Sequence, residues 1–259
     1  MTLLNPTTFS NWLIPHSLEW YAQLGELQQR YEYPWASSLA KPNGESMFDE
    51  ILAQTIVGKK VLDVGCGHGE FTLKCSLLAR EITGFDVTNH FIQKRLNTAR
   101  SNASFVVGNT KNGLPFQTNE FDCAYIRKGP TSAYPSLKNV VKKGGAIIGL
   151  HPGDALGREL PILFPNLFES TIGTPILNKI KENLANSDFS ESTIETVNST
   201  EYFQSPEDIL KLRCFGQHPS IYETLTVENL DEIASTFKQH ATANGLPITY
   251  SRYIVKAII

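Results

Sequence analysis

The chain has 259 residues, 23 basic and 26 acidic side chains for a formal charge of −3, 41% hydrophobic and 19% charged residues. That balance suits a soluble globular protein and excludes a net basic field able to gather nucleic acid by itself. The 4 cysteines (Cys66, Cys75, Cys123, Cys214) show no CxxC pair and no metal-ligand spacing, so reduced thiols are expected rather than a disulfide scaffold or a metal site.

The N-terminal stretch lacks a basic residue ahead of an apolar run, and no run approaches the ~20 residues of a membrane span. A cytoplasmic location without membrane partners is expected. Residues 1–45 read as a helical leader or lid. Within SLEWYAQLGELQQRY (17–31), Leu18, Tyr21, Leu24, Leu27 and Tyr31 form one apolar stripe at helical spacing. YPWASSLAKPNGE (33–45) carries prolines and glycine and reads as loop. SMFDEILAQTIV (46–57) predicts a second helix with Met47, Phe48, Ile51 and Leu52 inward.

From Lys59 the rhythm changes to short β-branched runs: KKVLDVG (59–65), EITGFDV (81–87), SFVVG (104–108), FDCAYI (121–126) and GAIIGL (145–150). Between them FTLKCSLLAR (71–80), NHFIQKRLNTAR (89–100) and PSLKNVVKK (135–143) predict helices. Lys138, Lys142 and Lys143 on the last are read as a solvated helix end in preference to a phosphate-binding patch. Such alternation predicts a parallel sheet with helices on both faces. Residues 46–150 form this core. Residues 151–246, with extended TIETVNSTEYF (193–203) and helical SPEDILKLR (205–213) and VENLDEIASTFKQHA (227–241), read as an inserted substrate cap. Residues 247–259 close the core sheet as a final strand.

The chemistry is concentrated in VLDVGCGHGEF (61–71). A strand ends at Val64, and Gly65, Cys66, Gly67, His68 and Gly69 bend the chain into a helix. Glycines there let backbone amides approach a ligand with no Cβ between. The dinucleotide fingerprint GxGxxG is not met, because Glu70 stands at its third glycine; the spacing is GxGxG, preceded by Asp63. Asp86, at the end of the next strand and about 20 residues on, stands where an acid meets a ribose diol, with Val87 beside it. Asn109 and Thr110, in VVGNTKNGLPF (106–116), are placed to meet an adenine edge. Arg127 stands at the mouth of the fourth core strand, facing either cofactor or acceptor, with an ordinary surface pair as its alternative. Open α/β sheets bind ligands at these carboxyl strand ends.

Together these segments resemble the class I S-adenosylmethionine-dependent methyltransferases. VLDVGCGHGEF is similar to that family's first motif, GFDV to its ribose-binding acid, and GNTKNGLPF to its adenine-side segment. FDCAYI and VKKGGAIIG are similar to the two strands that follow. The resemblance covers roughly residues 45–150 and the final strand. It implies a Rossmann-like α/β fold whose seven-stranded, mostly parallel sheet ends in an antiparallel strand, with S-adenosylmethionine as cofactor. It further implies that Asp63 and the backbone of Gly65, Cys66, Gly67, His68 and Gly69 surround the amino-acid end of the cofactor, Asp86 its ribose, and Asn109 with Thr110 its adenine. The family often has aspartate where Asn109 stands.

The acceptor is less determined. RKGP (127–130) departs from the Asn/Asp-Pro-Pro-aromatic tetrapeptide of exocyclic amino-group methylation in DNA. HPGDALGREL (151–160) and SPEDILKLRCFGQHP (205–219) are somewhat similar to segments of bacterial large-subunit ribosomal RNA guanine methyltransferases, but no cysteine precedes Cys66 to form that family's zinc module. A small-molecule acceptor is therefore favoured, with an rRNA or tRNA base as the alternative. His151 and His218 are the candidate bases, set against ordinary loop histidines. Cys66 is read as a small filler of the bend before a nucleophile. A cofactor-binding protein without transferase activity and a nicotinamide oxidoreductase are the competing classes. No oligomeric state is specified.

Overall fold

A computed structural model describes residues 2–28, 31–89 and 100–259. Eight strands form one sheet: β1 (Ser37–Leu39), β2 (Lys60–Val64), β3 (Glu81–Asp86), β4 (Ala103–Val107), β5 (Phe121–Arg127), β6 (Val141–Pro152), β7 (Glu191–Phe203) and β8 (Leu246–Ile258). Their spatial order is β1-β7-β8-β6-β5-β2-β3-β4. Strands β2 to β6 run parallel, and β8 lies antiparallel to β6, as expected for the final strand. The strand beyond the expected seven is β1, three residues inside the segment read as loop, paired antiparallel with Glu201–Phe203. Three residues leave no periodic signal; pairing alone creates the strand.

The chain divides into two compact units. One comprises residues 44–154, 174–197 and 252–259. Here β2 lies between β3 and β5, so the chain steps outward through β3 and β4 and then returns to β5 on the other side of β2. Open α/β sheets bind ligands at such a reversal, here at the carboxyl ends of β2 and β5. Alternation along the strands supplies two apolar faces. Leu62, Val64, Phe85 and Ala124 pack with helices α4 (Tyr134–Val140) and α6 (Pro175–Ala185). Val61, Ile82, Cys123 and Tyr125 pack with α2 (Gly44–Ile56) and α3 (Glu70–Cys75). Both faces are covered, which is why these strands read as continuous apolar runs.

The other unit comprises residues 1–43, 155–173 and 198–251. It has its own core of Leu160, Phe164, Phe203, Ile209, Ile221 and Phe237, drawn in part from α5 (Leu160–Leu163), α7 (Pro206–Arg213) and α8 (Pro219–His240). Helix α1 (Leu18–Gln28) belongs here and buries Trp20 and Leu24. The expected stripe is rotated: Leu18 is 59% and Leu27 45% exposed. Trp20 wins because its indole N–H donates to the Phe215 carbonyl and its ring packs edge-on against Phe215.

Two predicted helices end early. Helix α3 stops at Cys75, since the Arg80 amide bonds the Lys59 carbonyl and draws residues 76–80 into a return loop. Helix α4 stops at Val140, since Val141 already pairs with Phe121 at the start of β6 and a bulge follows. The helix predicted over 89–100 falls largely outside the described residues. No helix among the described residues is long and apolar enough to cross a membrane.

Candidate functional site

Parallel pairing of β2 with β3 sets Val64 opposite Phe85, so the glycine bend and Asp86 leave the sheet side by side. The bend is tied down by backbone bonds from the Gly65 and Cys66 amides to the Phe85 carbonyl. Gly65, Gly67 and Gly69 have φ of 79°, 54° and 75°, the left-handed region that favours glycine. Two of the three glycines differ in surroundings. A Cβ on Gly65 would lie 2.8 Å from Gly129 Cα and from Pro130 Cδ, whereas one on Gly67 would meet nothing within 4 Å. Gly65 is thus a packing glycine, and Gly67 exposes bare backbone to open space.

Asp86 joins the two segments directly. Its Oδ2 accepts the Gly67 amide at 2.9 Å and its Oδ1 the Thr88 amide at 2.8 Å. Each carboxylate oxygen still has a second lone-pair site, so the group is oriented and retains acceptor capacity for a diol. Val87 beside it is 38% exposed, an apolar surface at the same edge. Asn109 caps a short 3₁₀ turn, its Oδ1 accepting the Lys111 amide at 2.9 Å. Thr110 Oγ1 hydrogen-bonds Ser132 Oγ at 2.9 Å, tying the loop after β4 to the loop after β5.

Other expected site residues are engaged elsewhere. Asp63 points into the face covered by α2 and α3, is 2% exposed, and accepts the Thr72 and Tyr125 hydroxyls at 2.6 and 2.7 Å. Strand alternation puts it there, and it supports the bend from beneath. Burial raises its pKa to about 6 against the lowering effect of the two hydroxyls; the Asp86 carboxylate raises it further and Arg127 lowers it. Burial also pushes the Cys66 thiol well above its ordinary value, helped by the Asp63 and Asp86 charges, so the helix end does not activate it as a nucleophile. His68 Nε2 lies 3.2 Å from Glu70. Arg127 bonds Glu45 at 2.6 Å and lies with its guanidinium carbon 4.4 Å from the Phe71 ring centroid. It ties the mouth of β5 to α2 and α3.

Of the two candidate bases, His218 caps α8, its Nδ1 accepting the Ser220 amide. His151 is 1% exposed, hydrogen-bonded to Tyr134 Oη at 2.7 Å, and burial lowers its pKa to about 4. They lie in different units, His218 with residues 198–251 and His151 with residues 44–154. Asp154, in the same HPGD segment as His151, caps α6 by accepting the Ile176 and Leu177 amides.

Residues with little sequence signal of their own support the site. Thr72 and Tyr125 hold Asp63, Glu45 receives Arg127 and Lys128, and Gly129 clears the Val64 carbonyl, which a Cβ would approach to 2.6 Å. RKGP carries the one usable signal, a glycine–proline pair just after a strand. Among the described residues no group of three or more histidine, cysteine, aspartate or glutamate side chains could hold a metal ion.

The site's segments coincide with a known family model. Residues 61–145 match a methyltransferase domain. No curated protein matches the chain. A functionally unknown protein of Deinococcus radiodurans R1 is similar in structure, with a TM-score of 0.61 at 22% identity over 93% of this chain and 97% of that one. The YcgJ protein of Bacillus subtilis follows at 0.55 and 19%, over 83% and 98%. A protein of Bacillus halodurans C-125, provisionally assigned as a methyltransferase, gives 0.53 and 17%, over 82% and 98%. At these identities the structural likenesses show the fold. The likeness to ribosomal RNA guanine methyltransferases is not shown by any of these comparisons.

Proposed function

We propose that this chain, whose residues 61–145 match a methyltransferase domain, is a class I S-adenosylmethionine-dependent methyltransferase and methylates a small-molecule acceptor. The observation that carries the cofactor assignment is the 2.9 Å bond from the Gly67 amide to Asp86. It joins bare glycine backbone and an oriented carboxylate in one cradle. Gly67 leaves room where a side chain would stand, and Asp86 keeps lone pairs for two ribose hydroxyls, so the residues fit an adenosine. Val87 offers an apolar edge to the base, and the Thr110–Ser132 bond holds the neighbouring loop in place.

S-adenosylmethionine, when bound, supplies an electrophilic methyl group on a sulfonium. The protein's own tasks are then to hold the adenosine, align the acceptor and exclude water, for which alignment can contribute roughly 7–11 kcal/mol of the barrier. Asp86 binds and orients. Asp63, Thr72 and Tyr125 keep the bend in shape from below. His151 is neutral at pH 7 and bonded to Tyr134, and no base is required where the acceptor arrives with a free lone pair.

Charge supports a small acceptor over RNA. The formal charge of −3, with 26 acidic against 23 basic side chains, gives no net basic field to gather a phosphate backbone.

Calorimetry with S-adenosylmethionine, S-adenosylhomocysteine and NAD tests the cofactor. The first two bind and NAD does not. Asp86→Ala weakens that binding by about 2–4 kcal/mol, from two lost charge-assisted bonds partly replaced by water. An unchanged dissociation constant in a folded Asp86→Ala protein overturns the assignment. Transfer of tritiated methyl into an RNA pool, with none into metabolites, overturns the acceptor reading.

A further inference from the structure

The unit built from residues 1–43, 155–173 and 198–251 contains a cation that the methyl-donor cradle does not use. Arg213 ends helix α7. Its guanidinium carbon lies 4.5 Å from the Trp12 ring centroid and 5.8 Å from that of Phe168. Its Nε is buried with no hydrogen-bond partner. Among the described residues Arg213 makes no hydrogen bond and no ion pair; Glu169 acts on it only as a longer-range charge.

Arginine's five donors in a rigid planar fork ordinarily find acceptors when withdrawn from water, and the Nε–H, the buried donor here, has none. Two aromatic rings occupy positions from which they hold the cation by its charge, and neither offers a lone pair to the edge of the fork. The edge is what a planar oxyanion takes up bidentately. A cation kept only for helix-end electrostatics needs no such pair of ring contacts, since the macrodipole acts equally on a solvated side chain. Burial also lowers the pKa of this guanidinium, the mark of a charge that has lost water.

We propose that Arg213, held by Trp12 and Phe168, is a binding site for the oxyanion of a small ligand, a carboxylate or a phosphate. The site lies within one unit of the chain and does not depend on the methyl-donor reading. Its test uses binding and not activity, so either can fail without the other.

Inorganic phosphate and acetate are the probes, titrated into the full chain and followed by calorimetry and by Trp12 fluorescence. Saturable binding of either supports the site; a phosphate preference assigns a phosphorylated ligand and an acetate preference a carboxylate. Arg213→Gln weakens binding by about tenfold or more, the loss expected of charge-assisted bonds. Arg213→Lys keeps the charge, loses the fork, and weakens it less. Trp12→Phe keeps a ring against the cation and abolishes the optical signal while calorimetric binding persists. Should Arg213→Gln not fold, the Nε–H resonance of Arg213 in the native chain is followed instead, and it moves as phosphate or acetate is added. Binding of neither anion, or equal binding by wild type and Arg213→Gln, overturns the proposal, as does an unmoved Nε–H resonance.

Discussion

Two buried titratable side chains set opposing pH dependences at the residue scale. Asp63 holds its proton in the folded chain up to about pH 6, against an ordinary value of 3.8. Over that window the folded state binds more protons than the unfolded one, so stability falls as pH rises. His151 refuses a proton until about pH 4, against an ordinary 6.5, so its contribution rises with pH across that window. The two slopes nearly cancel in the native chain. Asp63→Asn keeps an oxygen to accept the Thr72 and Tyr125 hydroxyls and leaves the histidine slope alone, so stability climbs between pH 4 and 6.5. His151→Gln leaves the aspartate slope, and stability falls between pH 4 and 6. Each change amounts to roughly 3 kcal/mol. Urea melts of the three proteins across that range check it, and parallel profiles would contradict the burial argument.

The bend between β2 and α3 concentrates site and fold at the scale of one element. Gly65→Ala drives a Cβ into Gly129 and Pro130 at 2.8 Å, both of them stiff parts of the β5 loop, and adds left-handed strain at φ 79°. The fold itself should suffer, by about 3 kcal/mol or more, from overpacking and backbone strain together. Gly67→Ala has only the strain, about 1–2 kcal/mol, because its Cβ enters empty space. On the proposed reading that space is where the cradle meets S-adenosylmethionine. The two substitutions should therefore separate: Gly65→Ala lowers the melting temperature most, while Gly67→Ala costs more in S-adenosylmethionine affinity than in stability. Thermal melts and calorimetry on both variants decide the matter.

At the scale of the whole molecule, binding is linked to stability through the unit that contains both the bend and Asp86. At a hundredfold excess over its dissociation constant, S-adenosylhomocysteine adds about 2.7 kcal/mol. For a chain of this size that is a rise in melting temperature of roughly 5–10 °C. NAD should leave the melt unchanged. If the two units unfold in separate transitions, scanning calorimetry should show the rise in the transition of the unit holding residues 44–154. A shift confined to the other transition would move the ligand away from the glycine bend.

The strands β2 to β6, the bend, and the station of Asp86 were legible because each rests on local constraints. A strand covered on both faces must be apolar throughout, and a tight strand-to-helix turn requires glycine at positive φ. The parallel direction of these strands follows from the alternation of strands and helices, whereas their order around β2 is set by tertiary pairing. What local pattern could not carry was the partner of each polar side chain. Asp63 and Arg127 stand where a ligand contact is expected, yet one is turned inward onto Thr72 and Tyr125 and the other is tied to Glu45 and Phe71. His218, a candidate base set against a loop histidine with a local hydrogen bond, caps α8 through the Ser220 amide. Strand β1, the early ends of α3 and α4, and the burial of Trp20 likewise depend on residues far along the chain. Backbone conformation is chosen largely by neighbours in sequence. Hydrogen-bond partners, burial and the pKa values that follow are chosen by neighbours in space, and only tertiary structure brings those together.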